Sequence, residues 1–337
     1  MNVAVFSAKS YDKQFLSAAN AGQHELTFFE ERLHRETASL ASGFAAVCVF
    51  VNDELDAETL QILAANGIKL VALRCTGFNN VDLNAAAQLG IKVVRVVSYS
   101  PYSVAEHAVG LILMLNRKLY KAYNRVREDN FSLEGLVGFD LHGRTVGVIG
   151  TGKIGLIFAQ IMSGFGCYLL GYDAYPNDRF ETIANARYAE LPELLANSDI
   201  ISLHCPLTPE TEYMINAEAI AQMKPGVMLI NTSRGKLLDT RAAIDGIKAG
   251  KVGYLGIDVY EEEDDLFFRD LSSTIIQDET FQLLQSFPNV VITAHQAYFT
   301  ADALEDISET TIASLTEFEQ GRPLSNEIAA KQPATAK

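Results

Sequence analysis

The sequence predicts an α/β protein made of two doubly wound parallel sheets. Short runs rich in Val and Ile recur every few tens of residues. The segments between these runs are long enough for helices, and this alternation is typical of βαβ units. The segment around residues 100–140 separates the runs into two series. At a prior of roughly 150 residues per domain, a chain of 337 residues fits two domains.

The predicted strands fall into two groups. The first group comprises residues 3–8, 45–51, 69–75 and 92–97, with a more polar candidate at 25–29. The second group comprises residues 145–150, 168–173, 199–205, 227–233, 254–260 and 290–295. One sheet is therefore expected before the intervening segment and one after it.

Two amphipathic patterns predict helices outside these strands. After Pro101, apolar residues recur at helical spacing and predict one long linking helix. Its apolar positions are Val104, Ala108, Leu111, Ile112, Leu115 and Leu119. A second pattern predicts a C-terminal helix that ends near Gly321. Its apolar face consists of Leu304, Ile307, Ile312, Leu315 and Phe318.

Charge and hydropathy exclude several classes of protein. The chain has 27 Lys and Arg against 42 Asp and Glu, a net charge of −15, and its densest charge run, residues 261–265, is acidic. This balance argues against a nucleic-acid partner, which requires clustered cations, and against an anionic membrane surface. The longest apolar stretch, residues 108–115, is far shorter than the ~20 residues that span a bilayer.

The N-terminus and the cysteines indicate the cellular compartment. The chain begins directly with a strand-like run and shows no signal-peptide pattern. Its four cysteines form no CxxC pair, so we expect buried thiols rather than a disulfide framework or a zinc site. They are Cys48, Cys75, Cys167 and Cys205. We therefore expect a cytoplasmic protein without a bound metal.

The clearest cofactor motif is a glycine-rich turn in the second half of the chain. Residues 150–155, Gly-Thr-Gly-Lys-Ile-Gly, follow a predicted strand and open an apolar helical run. Gly150 permits a tight turn, Gly152 lets the backbone approach a pyrophosphate, and Gly155 allows close helix-to-strand packing. Asp173 lies 18 residues beyond Gly155, where a carboxylate accepts from ribose hydroxyls and repels a 2′-phosphate. The motif therefore predicts a Rossmann-like site for NAD rather than NADP.

Polar residues follow three later strands of the same domain. Arg234 follows the strand at 227–233, Glu263 follows the strand at 254–260, and His295 ends the strand at 290–295. In a doubly wound sheet, ligands bind at the carboxyl ends of the strands. An arginine, a glutamate and a histidine are therefore expected to converge on one edge of the second sheet.

These stretches resemble the D-isomer-specific 2-hydroxyacid dehydrogenase family, over essentially the whole chain. The resemblance is greatest to the branch of fermentative, NAD-dependent D-lactate dehydrogenases. The matching residues are 99–101 with 105–107, 150–155, 202–208, 231–235, 258–261 with 263, and 295–297. The resemblance implies a discontinuous, flavodoxin-like substrate domain, an NAD-binding Rossmann domain, and a cleft between them. The implied boundaries are 1–100 plus 299–337 for the substrate domain and 101–298 for the NAD-binding domain.

The resemblance also implies the catalytic residues of a reversible reduction of pyruvate to D-lactate. His295 corresponds to the proton donor, Glu263 to its carboxylate partner and Arg234 to the clamp on the substrate carboxylate. Reducing a 2-keto acid requires a hydride at the carbonyl carbon and a proton at the oxygen, and histidine supplies protons near neutral pH. A neighbouring carboxylate favours the imidazolium, and the planar fork of Arg matches a carboxylate.

Further contacts are implied by the same resemblance. Substrate contacts are implied for Thr76, Gly77, Tyr99, Arg234 and Tyr298. Cofactor contacts are implied for Gly150, Gly152, Lys153, Ile154, Gly155, Asp173, Cys205, Pro206, Thr232, Ser233 and Asp258. Residues 264–277 resemble a loop that lies near the active site in the lactate branch.

Two alternatives to this reaction remain open on the sequence. One methylene in an apolar pocket changes discrimination by only ~1–3 kcal/mol, so larger 2-keto acids such as phenylpyruvate are alternative substrates. The family also contains NAD-sensing corepressors that bind the cofactor without turning over a keto acid.

Members of the family are usually dimeric, which implies a homodimer here, with a tetramer as the alternative.

The remaining histidines have less specific expectations. We expect His107 and its neighbour Glu106 to be buried and hydrogen-bonded at the junction of the domains. His204 is expected either to pack against the adenosine or to have no role in binding. His24, His34 and His142 show no partner pattern and are expected at the surface.

Overall fold

The chain divides into two compact units in the computed structural model, which describes residues 1–263 and 266–328. One unit comprises Met1–Ser100 together with the chain from Phe299 onward, and the other comprises Pro101–Tyr298. Each unit contains one sheet in which every pair of neighbouring strands is parallel. An α/β fold with two doubly wound sheets is therefore confirmed.

The first unit contains a five-stranded sheet. Its strands are β1 (Asn2–Val5), β2 (Glu25–Phe28), β3 (Ala46–Val49), β4 (Leu70–Leu73) and β5 (Lys92–Arg95), in the order β2-β1-β3-β4-β5. Its first three helices are α1 (Ser10–Asn20), α2 (Ala57–Ala65) and α3 (Leu83–Gln88). Strands β3 and β4 are buried along their whole length, because helices cover both faces of a parallel sheet and apolar side chains are needed on each.

The second unit contains a seven-stranded sheet. Its strands are β6 (Thr145–Ile149), β7 (Tyr168–Tyr172), β8 (Ala186–Tyr188), β9 (Ile200–Leu203), β10 (Val227–Asn231), β11 (Val252–Ile257) and β12 (Val290–Ile292). The spatial order is β12-β11-β10-β9-β6-β7-β8. The chain winds outward in one direction from β6 and in the other from β9, so the sheet has a switch point between these two strands. Ligands bind at the carboxyl ends of strands at such points.

The helices of the second unit are α4 (Pro101–Arg117), α5 (Leu119–Arg127), α6 (Lys153–Gly164), α7 (Leu191–Asn197), α8 (Ala217–Gln222), α9 (Thr240–Lys248) and α10 (Glu279–Ser286). The prediction of one long linking helix is wrong, because the backbone turns left-handed at Lys118 (φ 49°). Leu115 before the break is buried, whereas Leu119 after it is 53% exposed. The apolar stripe therefore leaves the core at this point.

The chain returns to the first unit with α11 (Ala301–Glu319). Of its predicted apolar residues, Ile312, Leu315 and Phe318 pack in one cluster with residues of the sheet, and Leu304 and Ile307 are buried. The expected surface position of His24 is wrong. Its side chain is buried, with Nε2 2.9 Å from Thr316 Oγ1 on α11 and Nδ1 3.4 Å from Glu319 Oε2. Within the ranges that the structure describes, every helix is too short or too polar to cross a bilayer.

Candidate active site

The glycine turn between β6 and α6 is shaped by close backbone contacts. Gly150 has a φ of 94°, and a Cβ on it would lie within 3.0 Å of Cys205 N on the loop after β9. A Cβ on Gly155 would lie within 3.0 Å of Gly150 O. A Cβ on Gly152, by contrast, would meet no atom within 4 Å. Packing therefore requires Gly150 and Gly155, while Gly152 leaves open space before the N-terminus of α6.

Asp173 connects this turn to the end of β7. Its Oδ2 accepts from the backbone N–H of Thr151 at 2.6 Å, and its Oδ1 accepts from Tyr175 N at 2.9 Å. Thr151 Oγ1 also lies 2.7 Å from the hydroxyl of Tyr188, which stands on β8. The next residue, Ala174, is exposed and offers no cation to a 2′-phosphate. The carboxylate thus lies beside the glycine turn, where a ribose bound at the turn would reach it.

The loops after β9 and β10 form the next part of the edge. Ser233 Oγ donates to Cys205 O at 2.6 Å, and burial raises the pKa of the Cys205 thiol to about 11. Thr232 Oγ1 is buried and has no hydrogen-bond partner among the described residues. A buried hydroxyl usually has a partner, so this orphan group, together with the open space at Gly152, fits a bound NAD. Lys153 and Pro206 are exposed and Ile154 is half-buried along the same edge.

His204 lies behind the glycine turn. Its Nε2 is 2.9 Å from Ser202 Oγ, and its ring centroid is 4.7 Å from that of Phe158 on α6. Burial lowers the pKa of His204 to about 3. His204 is therefore a neutral packing residue between the sheet and α6 rather than a source of protons.

Arg234 follows β10, the neighbour of β11 in the sheet. Its Nη1 donates to Ser233 O at 2.7 Å, and its own carbonyl accepts from Asn231 Nδ2 at 2.8 Å. A Cβ on the next residue, Gly235, would lie within 3.0 Å of the backbone of Tyr260. The loop that carries Arg234 is therefore pressed against the loop that leads from β11 to Glu263.

Glu263 and His295 form a hydrogen-bonded pair at the ends of β11 and β12. His295 Nδ1 lies 2.7 Å from Glu263 Oε1, and each side chain is 20% exposed. Glu263 Oε2 accepts from Tyr260 N at 3.0 Å, which fixes the carboxylate. The ring of Phe268 lies 5.8 Å from that of His295. With Nδ1 directed at a carboxylate, Nε2 is the atom that His295 can present to a reactant. Residues 264 and 265 of the predicted 264–277 loop lie outside the described residues.

Asp258 organises the segment that carries His295. The backbone N–H groups of residues 295, 296 and 297 donate to Asp258 O, Oδ1 and Oδ2, at 2.7, 2.9 and 2.8 Å. Thr293 Oγ1 lies 2.5 Å from Oδ1 as well. Asp258 is fully buried. These bonds hold His295 at a φ of 49°, a region that costs a non-glycine residue roughly 1–3 kcal/mol. A contact of Asp258 with a cofactor carboxamide stays a prediction.

The first unit contains three of the predicted substrate residues, Thr76, Gly77 and Tyr99, which follow strands β4 and β5 in the chain. Thr76 O accepts from Arg95 Nη1 at 2.8 Å, and Gly77 O accepts from Cys75 Sγ at 3.3 Å. The Arg95 guanidinium lies 4.8 Å above the ring of Phe78. The backbone of residues 75–78 is therefore held by contacts within its own unit. Tyr99 is half-buried near the end of the first segment of this unit, whereas Tyr298 is the last residue of the second unit and is buried.

In residues 1–263 and 266–328, no three His, Cys, Asp or Glu side chains are grouped as metal ligands.

Two residues that contribute to the site belong to no sequence motif. Thr293 binds Asp258, and Tyr188 binds the glycine turn from β8, a strand that we did not predict.

Comparison with known proteins gives concordant matches. Residues 109–297 match the family model described as "D-isomer specific 2-hydroxyacid dehydrogenase, NAD binding domain". The chain is 51% identical to the D-lactate dehydrogenase of Escherichia coli K12 over 329 residues, 97% of this chain and 100% of that protein. It is also 51% identical to a 2-hydroxyacid dehydrogenase homolog of Haemophilus influenzae, over 97% of this chain and 98% of that protein.

Solved structures of related proteins match over nearly the whole chain. The apo-structure of D-lactate dehydrogenase from Escherichia coli superposes with a TM-score of 0.90 at 48% identity, covering 98% of this chain and 100% of that one. The D-lactate dehydrogenase of Aquifex aeolicus, complexed with NAD and lactic acid, gives a TM-score of 0.86 at 35% identity with the same coverage.

Proposed function

Because the chain belongs to the D-isomer specific 2-hydroxyacid dehydrogenase family, we propose that it catalyses the reversible reduction of pyruvate to D-lactate. It is an NAD-dependent oxidoreductase. The observation that carries the proposal is the His295–Glu263 pair at 2.7 Å, on the sheet edge that also carries Arg234 and the glycine turn. A proton donor, a cation for a carboxylate and a dinucleotide site are the three parts that the reduction of a 2-keto acid needs.

The NAD site is proposed along the carboxyl ends of β6, β7, β9 and β10. Bound NADH supplies the hydride for the carbonyl carbon. The open N-terminus of α6, with Gly150, Gly152, Lys153, Ile154 and Gly155, would hold the pyrophosphate through unpaired N–H groups. Asp173 would accept from the ribose hydroxyls. The adenosine wall would be formed by Cys205 and Pro206, and the nicotinamide side by Thr232, Ser233 and Asp258.

The chain's own residues would manage the substrate charge and the proton. Arg234 would bind the substrate carboxylate through two parallel N–H donors. The resemblance to the family also proposes substrate contacts for Thr76, Gly77, Tyr99 and Tyr298. His295 would give its Nε2 proton to the carbonyl oxygen during reduction and take it back from the hydroxyl during oxidation. Glu263 would hold the ring in place and stabilise the imidazolium between these steps.

A turnover assay with product analysis tests this proposal. Purified protein is mixed with NADH and pyruvate or a larger 2-keto acid such as phenylpyruvate, and the loss of NADH absorbance is followed. The lactate formed is then oxidised with stereospecific reagents for the D and L isomers. We expect rapid turnover of pyruvate to D-lactate. Binding of NADH without turnover of any keto acid, or formation of L-lactate, would refute the proposed function.

We also propose that the protein is a cytoplasmic homodimer. Helix α5 has no buried residue, although it is amphipathic. Six large apolar side chains on α5 and the chain after it are more than half exposed: Leu119, Tyr123, Val126, Phe131, Leu133 and Val137. An exposed patch of this kind favours a protein partner, which supports the dimer. All four cysteines are free and buried, which supports a reducing compartment. Light scattering during gel filtration distinguishes a dimer from a monomer or tetramer, and cell fractionation tests the compartment.

A further inference from the structure

His107 on α4 contacts the segment that carries His295. We define residues 293–297 as the catalytic loop. His107 Nε2 lies 3.0 Å from Thr293 Oγ1, the first side chain of this loop, and 3.5 Å from Asp258 Oδ1. The expectation that His107 and Glu106 are buried is wrong, because the His107 side chain is 21% exposed and Glu106 is exposed. A histidine from α4 thus lies next to the carboxylate that holds the catalytic loop through its backbone N–H groups.

The direction of the hydrogen bonds follows from the donors and acceptors present. Thr293 Oγ1 lies 2.5 Å from Asp258 Oδ1. A carboxylate only accepts, so the threonine hydroxyl donates its single hydrogen to Asp258. The lone pairs of Thr293 Oγ1 remain to accept, and the group at 3.0 Å is His107 Nε2. His107 must therefore carry a hydrogen on Nε2 and donate it, which defines a chain from His107 through Thr293 to Asp258.

Asp258, at the end of this hydrogen-bond chain, is the residue on which the conformation of the catalytic loop depends. Asp258 accepts the three consecutive amides of residues 295–297. Two of these bonds are made by the carboxylate oxygens, so a rotation of the carboxylate would break them. Thr293 donates a hydrogen bond to Oδ1 and His107 lies beside the same oxygen, so both residues oppose such a rotation. Loss of the amide bonds would release His295 from its left-handed backbone and move the imidazole relative to Glu263.

We propose that His107 is a positioning residue that acts through Thr293 and Asp258 to hold His295 in its reactive orientation. This inference rests on the proposed function, in which His295 transfers the proton. Burial lowers the pKa of His107 and thereby favours the neutral ring, which retains a hydrogen on only one nitrogen. The neutral ring with its hydrogen on Nε2 meets the requirement of the chain.

Substitutions at His107 and Thr293, the first two members of this hydrogen-bond chain, test the inference. His107→Met removes the donor and keeps a side chain of similar length, whereas His107→Gln places an amide N–H near the former Nε2. Thr293→Val removes the hydroxyl and keeps the shape. We expect kcat for pyruvate reduction to fall about 10²-fold in His107→Met and Thr293→Val, since small displacements of reacting groups cost that much. His107→Gln should restore most of the loss.

A double-variant cycle separates positioning from packing. If both residues act through the same series of hydrogen bonds, the double variant His107→Met/Thr293→Val should have a kcat no lower than that of the slower single variant. Additive losses, or failure of His107→Gln to restore activity, would show a packing role and overturn the inference. Full activity of His107→Met would also overturn it. His142→Met, at an exposed histidine of the same unit, is the matched control and should equal the wild type.

A structural readout keeps this test separate from that of the proposed function. In ¹⁵N-histidine spectra, we expect the wild type to show His107 protonated on Nε2, and the His295 signals to shift in His107→Met but not in His107→Gln. An Nδ1-protonated His107, or unchanged His295 signals in His107→Met, would refute the positioning role. A wild-type protein that reduces no keto acid would refute the proposed function, while the spectra would still decide the role of His107.

Discussion

Three glycines around α6 allow the same substitution to test three different consequences. A Cβ on Gly155 would lie within 3.0 Å of the Gly150 carbonyl, whereas Cβ atoms on Gly152 and Gly164 would meet nothing within 4 Å. Gly164 is the exposed last residue of the helix. We therefore predict that Gly155→Ala destabilises the free protein, that Gly152→Ala impairs NADH binding alone, and that Gly164→Ala does neither.

The sizes of these effects follow from the neighbours of each added methyl group. At Gly155 the neighbour is backbone, which cannot rotate away, so overpacking should cost ~1–3 kcal/mol. For a unit of about 200 residues, this lowers the midpoint of thermal unfolding by roughly 2–12 °C. Gly164→Ala should stabilise the helix by about 0.5–1 kcal/mol. At Gly152 the methyl would occupy the approach of the pyrophosphate, and a loss of ~1.4–2.8 kcal/mol raises the Kd for NADH about 10- to 100-fold.

Thermal unfolding with and without NADH, together with titration calorimetry, measures both quantities. Gly152→Ala should unfold at the wild-type temperature without NADH but show less stabilisation by NADH, because ligand stabilisation follows affinity. Wild-type NADH affinity in Gly152→Ala would refute the placement of the cofactor at this turn. Wild-type stability in Gly155→Ala would refute the packing argument for the turn itself.

Three further predictions concern the charged groups of the site. Glu263→Gln should lower kcat by about 10²-fold with NADH affinity unchanged, and a wild-type kcat would show that the pair with His295 is dispensable. Arg234→Lys loses the planar fork, so the KM for pyruvate should rise about 10-fold, or ~1.4 kcal/mol; Arg241→Lys, at an exposed position, is the control, and equal KM values would contradict the clamp. Burial lowers the pKa of His204 from its ordinary value of 6.5 to about 3. Between these two pH values, His204 binds a proton in the unfolded chain but not in the folded chain. The contribution of His204 to stability is therefore fully present above pH 6.5 and is lost as the pH falls toward 3. His204→Gln should reduce the slope of the unfolding temperature against pH. Equal slopes in the variant and the wild type would contradict this prediction.

The sheets were largely predictable because their strands are continuous apolar runs. Even the polar strand Glu25–Phe28 was recognisable. Strand β8 was missed because Ala186, Arg187 and Tyr188 lack Val and Ile, and its place at the sheet edge requires little apolar surface. The break at Lys118 was missed as well, since the apolar spacing continues to Leu119. Only the packing of the completed unit shows that the stripe has already left the core.

The candidate site was predictable where residue type determines chemistry. Arg234, Glu263 and His295 follow neighbouring strands, so their convergence on one edge follows from the strand order. The support of His295 was not predictable. One buried residue, Asp258, accepts three consecutive amides, an arrangement that depends on the tertiary path of the loop. The buried position of His24 depends likewise on α11, which lies far away in the sequence.

The most direct test of the proposed mechanism is a single turnover of NADH with pyruvate, compared between the wild type and His295→Gln. NADH binding is measured in the same samples by its fluorescence, so that a loss of cofactor is not mistaken for a loss of chemistry. We predict that the wild type converts bound NADH rapidly and that His295→Gln binds NADH normally but reacts about 10³-fold more slowly. An equal rate of reaction in His295→Gln would contradict the assignment of His295 as the proton donor.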